Sequence, residues 1–77
     1  MKTRDPKTPA EWQTAVNIAE ACLLVDSARQ YGLITGGPVV DVARCDQILT
    51  EGRARGIVPS KSGVDAYIQA FASAGEV

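Results

Sequence analysis

The feature that most constrains this chain is an uninterrupted helical stretch near its N-terminus. Thr8 suits the N-cap, Pro9 suits the first helical position, and Glu11 follows the threonine at the spacing of a capping box. No glycine or proline then occurs until Gly32, a residue type that ends many helices in the left-handed conformation. The pattern predicts a first helix over residues 9–31, closed by a Schellman turn.

Apolar residues of this predicted helix lie on two of its sides. At 100° per residue, one face carries Trp12, Ala15, Val16, Ala19 and Leu23. The far face carries Ile18, Ala21, Leu24, Val25 and Ala28. A helix of this kind is covered either by other elements of its own chain or by a second molecule. If the later helices cover only one side, the far face is the predicted interface for a protein partner or a second copy of the chain.

A second helix is predicted over residues 42–55, with Asp41 as its N-cap. Gly52 lies inside this helix and costs about 1 kcal/mol relative to alanine. We therefore expect its missing side chain to permit a close helix crossing. Gly56 is the expected C-terminal stop, and an earlier end at Gly52 is the alternative.

A third helix is predicted over residues 63–74, with Ser60 and Ser62 as candidate caps. Its apolar residues recur at one-sided helical spacing, at Val64, Tyr67, Ile68 and Phe71. The fold class is thus a single all-α domain of three helices over residues 8–77.

Two segments of the chain are predicted to lie outside helices. Residues 1–7 have little to bury, so we expect them to be flexible. Residues 33–40 contain the pair Gly36-Gly37, which suits a tight turn. An ordered loop is expected there, and a miniature hairpin is the alternative.

Composition limits the classes of function. The 77 residues carry a net charge of −1 with no block of like charges, so no global field attracts nucleic acid or a membrane. No stretch approaches the roughly 20 apolar residues of a membrane span, and no apolar leader follows Met1. These two observations predict a cytoplasmic location by default. Cys22 and Cys45 are interpreted as small buried hydrophobes in a reducing compartment.

No group of residues carries an obvious chemistry. The chain has no histidine, which removes the commonest general base and metal ligand. Neither cysteine belongs to a CxxC cluster, so no metal site is predicted. No cofactor, catalytic residue or small-molecule substrate is predicted either. We expect a small intracellular interaction or regulatory module that is not an enzyme, either binding another protein or self-associating through the first helix.

The alternative is a DNA-binding accessory protein with a helix-turn-helix-like segment over residues 46–71. Its candidate nucleic-acid contacts are Arg53, Arg55 and Lys61, near the turn. However, Val58 stands where glycine is usual, and the second helix of the segment offers a single basic residue for phosphate contacts. The sequence therefore favours the interaction module.

Overall fold

The computed structural model of the chain describes residues 6–35 and 39–74, and for 72–74 it describes the backbone alone. It contains three helices: α1 (Pro9–Gln30), α2 (Val42–Ala54) and α3 (Lys61–Ala74). No strand occurs within the described ranges. The predicted all-α class with a long first helix is confirmed.

Both ends of α1 are closed by the predicted local contacts. Thr8 Oγ1 accepts from the backbone N–H of Glu11 at 3.1 Å, and the Thr8 N–H donates to Glu11 Oε1 at 3.3 Å. At the other end Gly32 has a φ of 76°, and the Leu33 N–H donates to the Ala28 carbonyl at 2.9 Å. These bonds form a capping box and a Schellman closure, so α1 ends within one residue of its prediction.

Helix α2 is also bounded as predicted. The Asp41 side chain accepts from the Arg44 N–H at 3.1 Å. After the last turn Gly56 has a φ of 76°, and the Ile57 N–H donates to the Gly52 carbonyl at 2.9 Å. Because the helix continues past Gly52 to Ala54, the alternative end at Gly52 is wrong.

Helix α2 lies closest to α1 at Gly52. This glycine is buried, and a Cβ atom on it would lie 2.5 Å from Val16 Cγ2 and 3.3 Å from the Ile57 carbonyl oxygen. Trp12 borders the same contact. The expected close crossing is therefore confirmed.

A buried asparagine holds the connection between α2 and α3 against α1. Asn17 is 7% exposed, and its Oδ1 accepts from the Ser60 N–H at 2.9 Å and from Gln13 Nε2 at 3.0 Å. Its Nδ2 donates to Ser60 Oγ at 3.2 Å. Gln13 Nε2 also donates to the Val58 carbonyl at 2.9 Å. These bonds satisfy both polar atoms of the Asn17 amide, which stabilises its burial.

The same contacts explain why α3 begins at Lys61, two residues earlier than predicted. Ser60 is held by Asn17, and its carbonyl accepts from the Val64 N–H at 2.9 Å, the first bond of the helix. Ser62 therefore lies inside the first turn and does not cap the helix. Gly63 packs directly on Asn17, since a Cβ there would collide with the Asn17 Nδ2.

Both apolar sides of α1 are largely covered within the chain. Helices α2 and α3 each pack on α1, and in the part of the chain that the structure describes they do not contact each other. The α1 core residues are buried on both predicted faces, at Trp12, Val16, Ala19, Ala21 and Val25. The predicted helix therefore finds its cover in its own chain.

Two predictions fall wholly or largely on residues that are not described. The Gly36-Gly37 turn lies outside the described residues, as do residues 1–5 of the segment predicted to be flexible. In the flanking parts of the loop, residues 33–35 and 39–40, there is no strand, so the described portion agrees with a loop.

Gly52→Leu should lower the free energy of unfolding by roughly 1–3 kcal/mol, because the larger side chain forces α2 away from Val16. Urea denaturation measures this difference. Thr50→Leu, an exposed position of the same helix, is the matched control and should change stability by less than about 0.5 kcal/mol. Equal stability of the two variants would contradict the close crossing.

Asn17→Ala should lower the free energy of unfolding by roughly 2–3 kcal/mol, because the half-buried Ser60 N–H loses its acceptor and Gln13 Nε2 keeps only the Val58 carbonyl. The exposed Gln47→Ala in α2 is the control, with an expected change below about 0.5 kcal/mol. Thermal denaturation compares them, and a loss no larger than that of the control would count against the role assigned to Asn17.

Candidate functional site

An open groove of about 490 Å³ runs along the N-terminal half of α1, beside α2. We call it the α1–α2 groove. Its α1 wall is formed by Ala10, Glu11, Thr14, Ala15, Ile18 and Ala19. Its α2 wall is formed by Arg44, Cys45 and Ile48, and Pro6 also lines the groove.

The groove exists because the residues that line α1 there are small. Ala10, Ala15 and Ala19 leave space beside the crossing helix, whereas Ile18 and Ile48 supply apolar surface that is only half-buried. Partly exposed apolar surface in a concave site is typical of a binding surface.

The two charged residues of the groove already have interactions within the chain. Glu11 completes the capping box of α1, and both Glu11 and Arg44 take part in further contacts. Thr14 is exposed. The groove therefore presents mainly apolar surface, with a charged residue on each wall.

The five residues of the predicted partner interface do not form one exposed surface. Ala21 and Val25 are buried inside the chain, at 0% and 3% exposure, so in this fold they are not available to a partner. Ala28 is half-buried, and Leu24 is 46% exposed. Only Ile18 lies in the groove.

Four large apolar residues in and beside the segment between α1 and α2 are exposed: Tyr31, Leu33, Val39 and Val42. We call this set of residues the helix-end surface. It is a candidate contact region, and sequence periodicity did not identify it because three of its four residues lie in the segment between the helices.

Two of the three predicted nucleic-acid contacts are engaged within the chain. The Arg55 guanidinium carbon lies 4.2 Å from the centroid of the Trp12 ring, and Arg55 Nη1 donates to the Glu51 carbonyl at 2.9 Å. Lys61 Nζ forms an ion pair with Asp65 at 2.9 Å, and this bond raises the pKa of Lys61.

The arrangement of α2 and α3 also differs from a helix-turn-helix. The connection spans residues 55–60, which is longer than the turn of three or four residues typical of that motif. In addition, α2 and α3 pack on α1 and not on each other within the described ranges. Arg53 is exposed at this end of the fold.

Both cysteines are half-buried and not fully buried as predicted. Burial raises the pKa of the Cys22 thiol. Burial is also the largest cause that raises the pKa of Cys45, followed by the electrostatic effects of Cys22 and of nearby carboxylates. Both groups therefore favour the protonated thiol. Among the described residues no three side chains form a group that could hold a metal ion.

Sequence reasoning missed most of the groove. Helical periodicity assigned Ala15 and Ala19 to a packed face and gave no role to Ala10 or Thr14. These four residues line an open groove because of where α2 crosses α1, and Gly52 determines that crossing point. The available signal was the repeated occurrence of alanine along one half of α1.

The geometry defines a three-helix all-α domain with one open groove described along its longest helix. Comparison with known proteins finds no matching family model, no matching curated protein and no matching solved structure. None of the described helices has both the length and the apolarity needed to cross a membrane.

Arg55→Ala should red-shift the fluorescence of Trp12 and lower the free energy of unfolding by about 0.5–1 kcal/mol, because the guanidinium no longer covers the ring. Arg53→Ala, which removes a neighbouring exposed arginine, is the matched control and should change neither quantity. Emission spectra and urea denaturation of both variants test the contact. Identical spectra for Arg55→Ala and the unmodified chain would contradict it.

Proposed function

We propose that this chain is a small non-catalytic interaction module that binds an apolar helical segment of a partner protein in the α1–α2 groove. The observation that carries the proposal is the half-buried apolar surface of Ile18 and Ile48 in an open concave site. Such sites are typical of helix-in-groove recognition.

The dimensions of the groove favour a helical occupant. The α1 wall extends from Ala10 to Ala19, which corresponds to roughly 14 Å, or between two and three helical turns. Small residues along that wall allow another helix to approach closely. A small molecule is usually enclosed on most of its surface, whereas this groove is open, so a segment of a larger partner fits it better.

The chemistry of the groove favours binding over catalysis. Its functional groups are Glu11, Thr14, Arg44 and Cys45. Glu11 and Arg44 are engaged in other contacts, and the raised pKa of Cys45 disfavours the nucleophilic thiolate. No acid–base pair of the kind used in general catalysis is formed by these four residues.

Self-association is a less supported form of the same proposal. It was expected to use the far face of α1, but Ala21 and Val25 of that face are buried in the single chain. A second copy would therefore have to occupy the groove or the helix-end surface. A cytoplasmic location remains part of the proposal, since a chain with only two cysteines has no disulfide framework of the kind typical of small secreted domains.

The DNA-binding alternative receives less support from the contacts. Arg55 lies on Trp12, and Lys61 is paired with Asp65, so two of the three basic residues have partners within the chain that phosphate contacts would compete with. A salt-dependent complex with random duplex DNA at low ionic strength, lost in Arg53→Ala, would favour this alternative.

The proposal is tested by NMR titration of the full chain with a synthetic amphipathic helical peptide. The peptide carries a stripe of leucines, equal numbers of lysine and glutamate, and blocked ends. We expect amide shifts concentrated at Ala10, Ala15, Ile18 and Ile48. Ile18→Lys should weaken binding at least about tenfold, whereas Leu24→Lys, an exposed position on the same helix, should leave it unchanged.

Three outcomes would overturn the proposal. The first is the absence of shifts at millimolar peptide. The second is a set of shifts confined to the helix-end surface. The third is a set of groove shifts that depend on protein concentration without peptide, which would identify a second copy as the occupant.

A further inference from the structure

We infer that Cys22 and Cys45 are a redox modification site: an intrachain disulfide between them joins the N-terminal half of α2 to α1. The inference does not depend on which molecule occupies the α1–α2 groove. It rests on the register of the two helices, on their close approach, and on the partial exposure of both thiols.

The register places the two cysteines opposite each other. Near its end α2 contacts the beginning of α1, where Gly52 meets Val16. Near its start α2 contributes Cys45 to a groove whose α1 wall reaches Ala19. The helices therefore run antiparallel. Seven residues back from Gly52 is Cys45, and seven residues forward from Val16 is Leu23, the neighbour of Cys22. The contact of Arg55 with Trp12 gives Cys22 itself, because Cys45 and Cys22 each lie ten residues from that pair.

Cys22 also lies on the correct side of α1. It follows Ala15 by seven residues and Ala19 by three, spacings that keep side chains on one face of a helix. Both alanines line the groove together with Cys45. The electrostatic effect of Cys22 on Cys45 agrees with this proximity.

The separation of the helices suits a disulfide. Packed helix axes lie about 8–10 Å apart, and Cα atoms lie about 2.3 Å from each axis. Residues that face each other across such a pair therefore have Cα atoms about 3.4–5.4 Å apart, and the upper half of this range overlaps the 4.4–6.8 Å that a disulfide spans.

Helix α2 can adjust to the bond because few of its residues are buried against α1. Of its residues only Gly52 is buried, and the remainder are half-buried or exposed. Both thiols are half-buried, so an oxidant can reach them. Burial is the largest cause that raises the pKa of Cys45, followed by the charges of Cys22, Asp41, Asp46 and Asp26. The raised pKa lowers the thiolate fraction of Cys45 and slows its attack on a disulfide.

The reaction is a thiol–disulfide exchange with a small disulfide such as oxidised glutathione. The Cys45 or Cys22 thiolate attacks the glutathione disulfide, forming a mixed disulfide and releasing one glutathione. The second cysteine then displaces the second glutathione. The two cysteines lose two protons and two electrons, and the oxidant is reduced to two thiols.

The full chain, first reduced and then incubated with oxidised glutathione, provides the test. We expect mass spectrometry to show the loss of two hydrogen atoms from the monomer and no remaining alkylatable thiol. The midpoint of thermal unfolding should rise by roughly 10 °C or more, and reduction should reverse the rise. Cys22→Ser and Cys45→Ser are matched controls that should show neither change.

Other products would overturn the inference. These are covalent dimers, stable glutathione adducts on either cysteine without ring closure, an unreacted chain, or a disulfide that forms only in urea. A disulfide that forms in the native chain but lowers the unfolding midpoint would equally contradict the proposed geometry, because a strained bond would not match this helix register.

Discussion

The close approach of α2 to α1 at Gly52 is the constraint on which the remainder of the structure depends. Only a residue without a side chain fits against Val16 at this point. The crossing fixes the path of α2 in both directions. Toward its end it brings Arg55 over the ring of Trp12, and toward its start it sets Ile48 and Cys45 beside the small residues of α1. The groove is thus a consequence of helix packing and not of a separately folded element.

A second constraint, made of hydrogen bonds, positions α3 on the other side of α1. Apolar burial is non-directional, so it does not by itself select how α3 lies along α1. Asn17 fixes the start of α3 relative to α1, because its amide donates to and accepts from Ser60 and accepts from Gln13. A buried polar group with all its partners in place specifies one arrangement over its alternatives. Gly63 then permits α3 to begin directly against that amide.

The helices could be predicted from the sequence because their boundaries depend on local contacts. The side chains of Thr8 and Asp41, and the positive φ of Gly32 and Gly56, act within a few residues of the helix ends that they close. The start of α3 was less predictable, since Asn17 holds Ser60 from 43 positions away. Periodicity treats Asn17 as a polar surface residue, so neither this hydrogen-bonded cluster nor the outline of the groove was accessible from the pattern of α1 alone.

The arrangement in which α1 contacts both other helices, while α2 and α3 do not contact each other, has a consequence for communication within the described part of the fold. A ligand that shifts α2 has no direct packing route to α3. Any coupling between the two must pass through α1 or along the short connection that Asn17 anchors. The first helix is therefore the one element through which a change in packing can reach both α2 and α3.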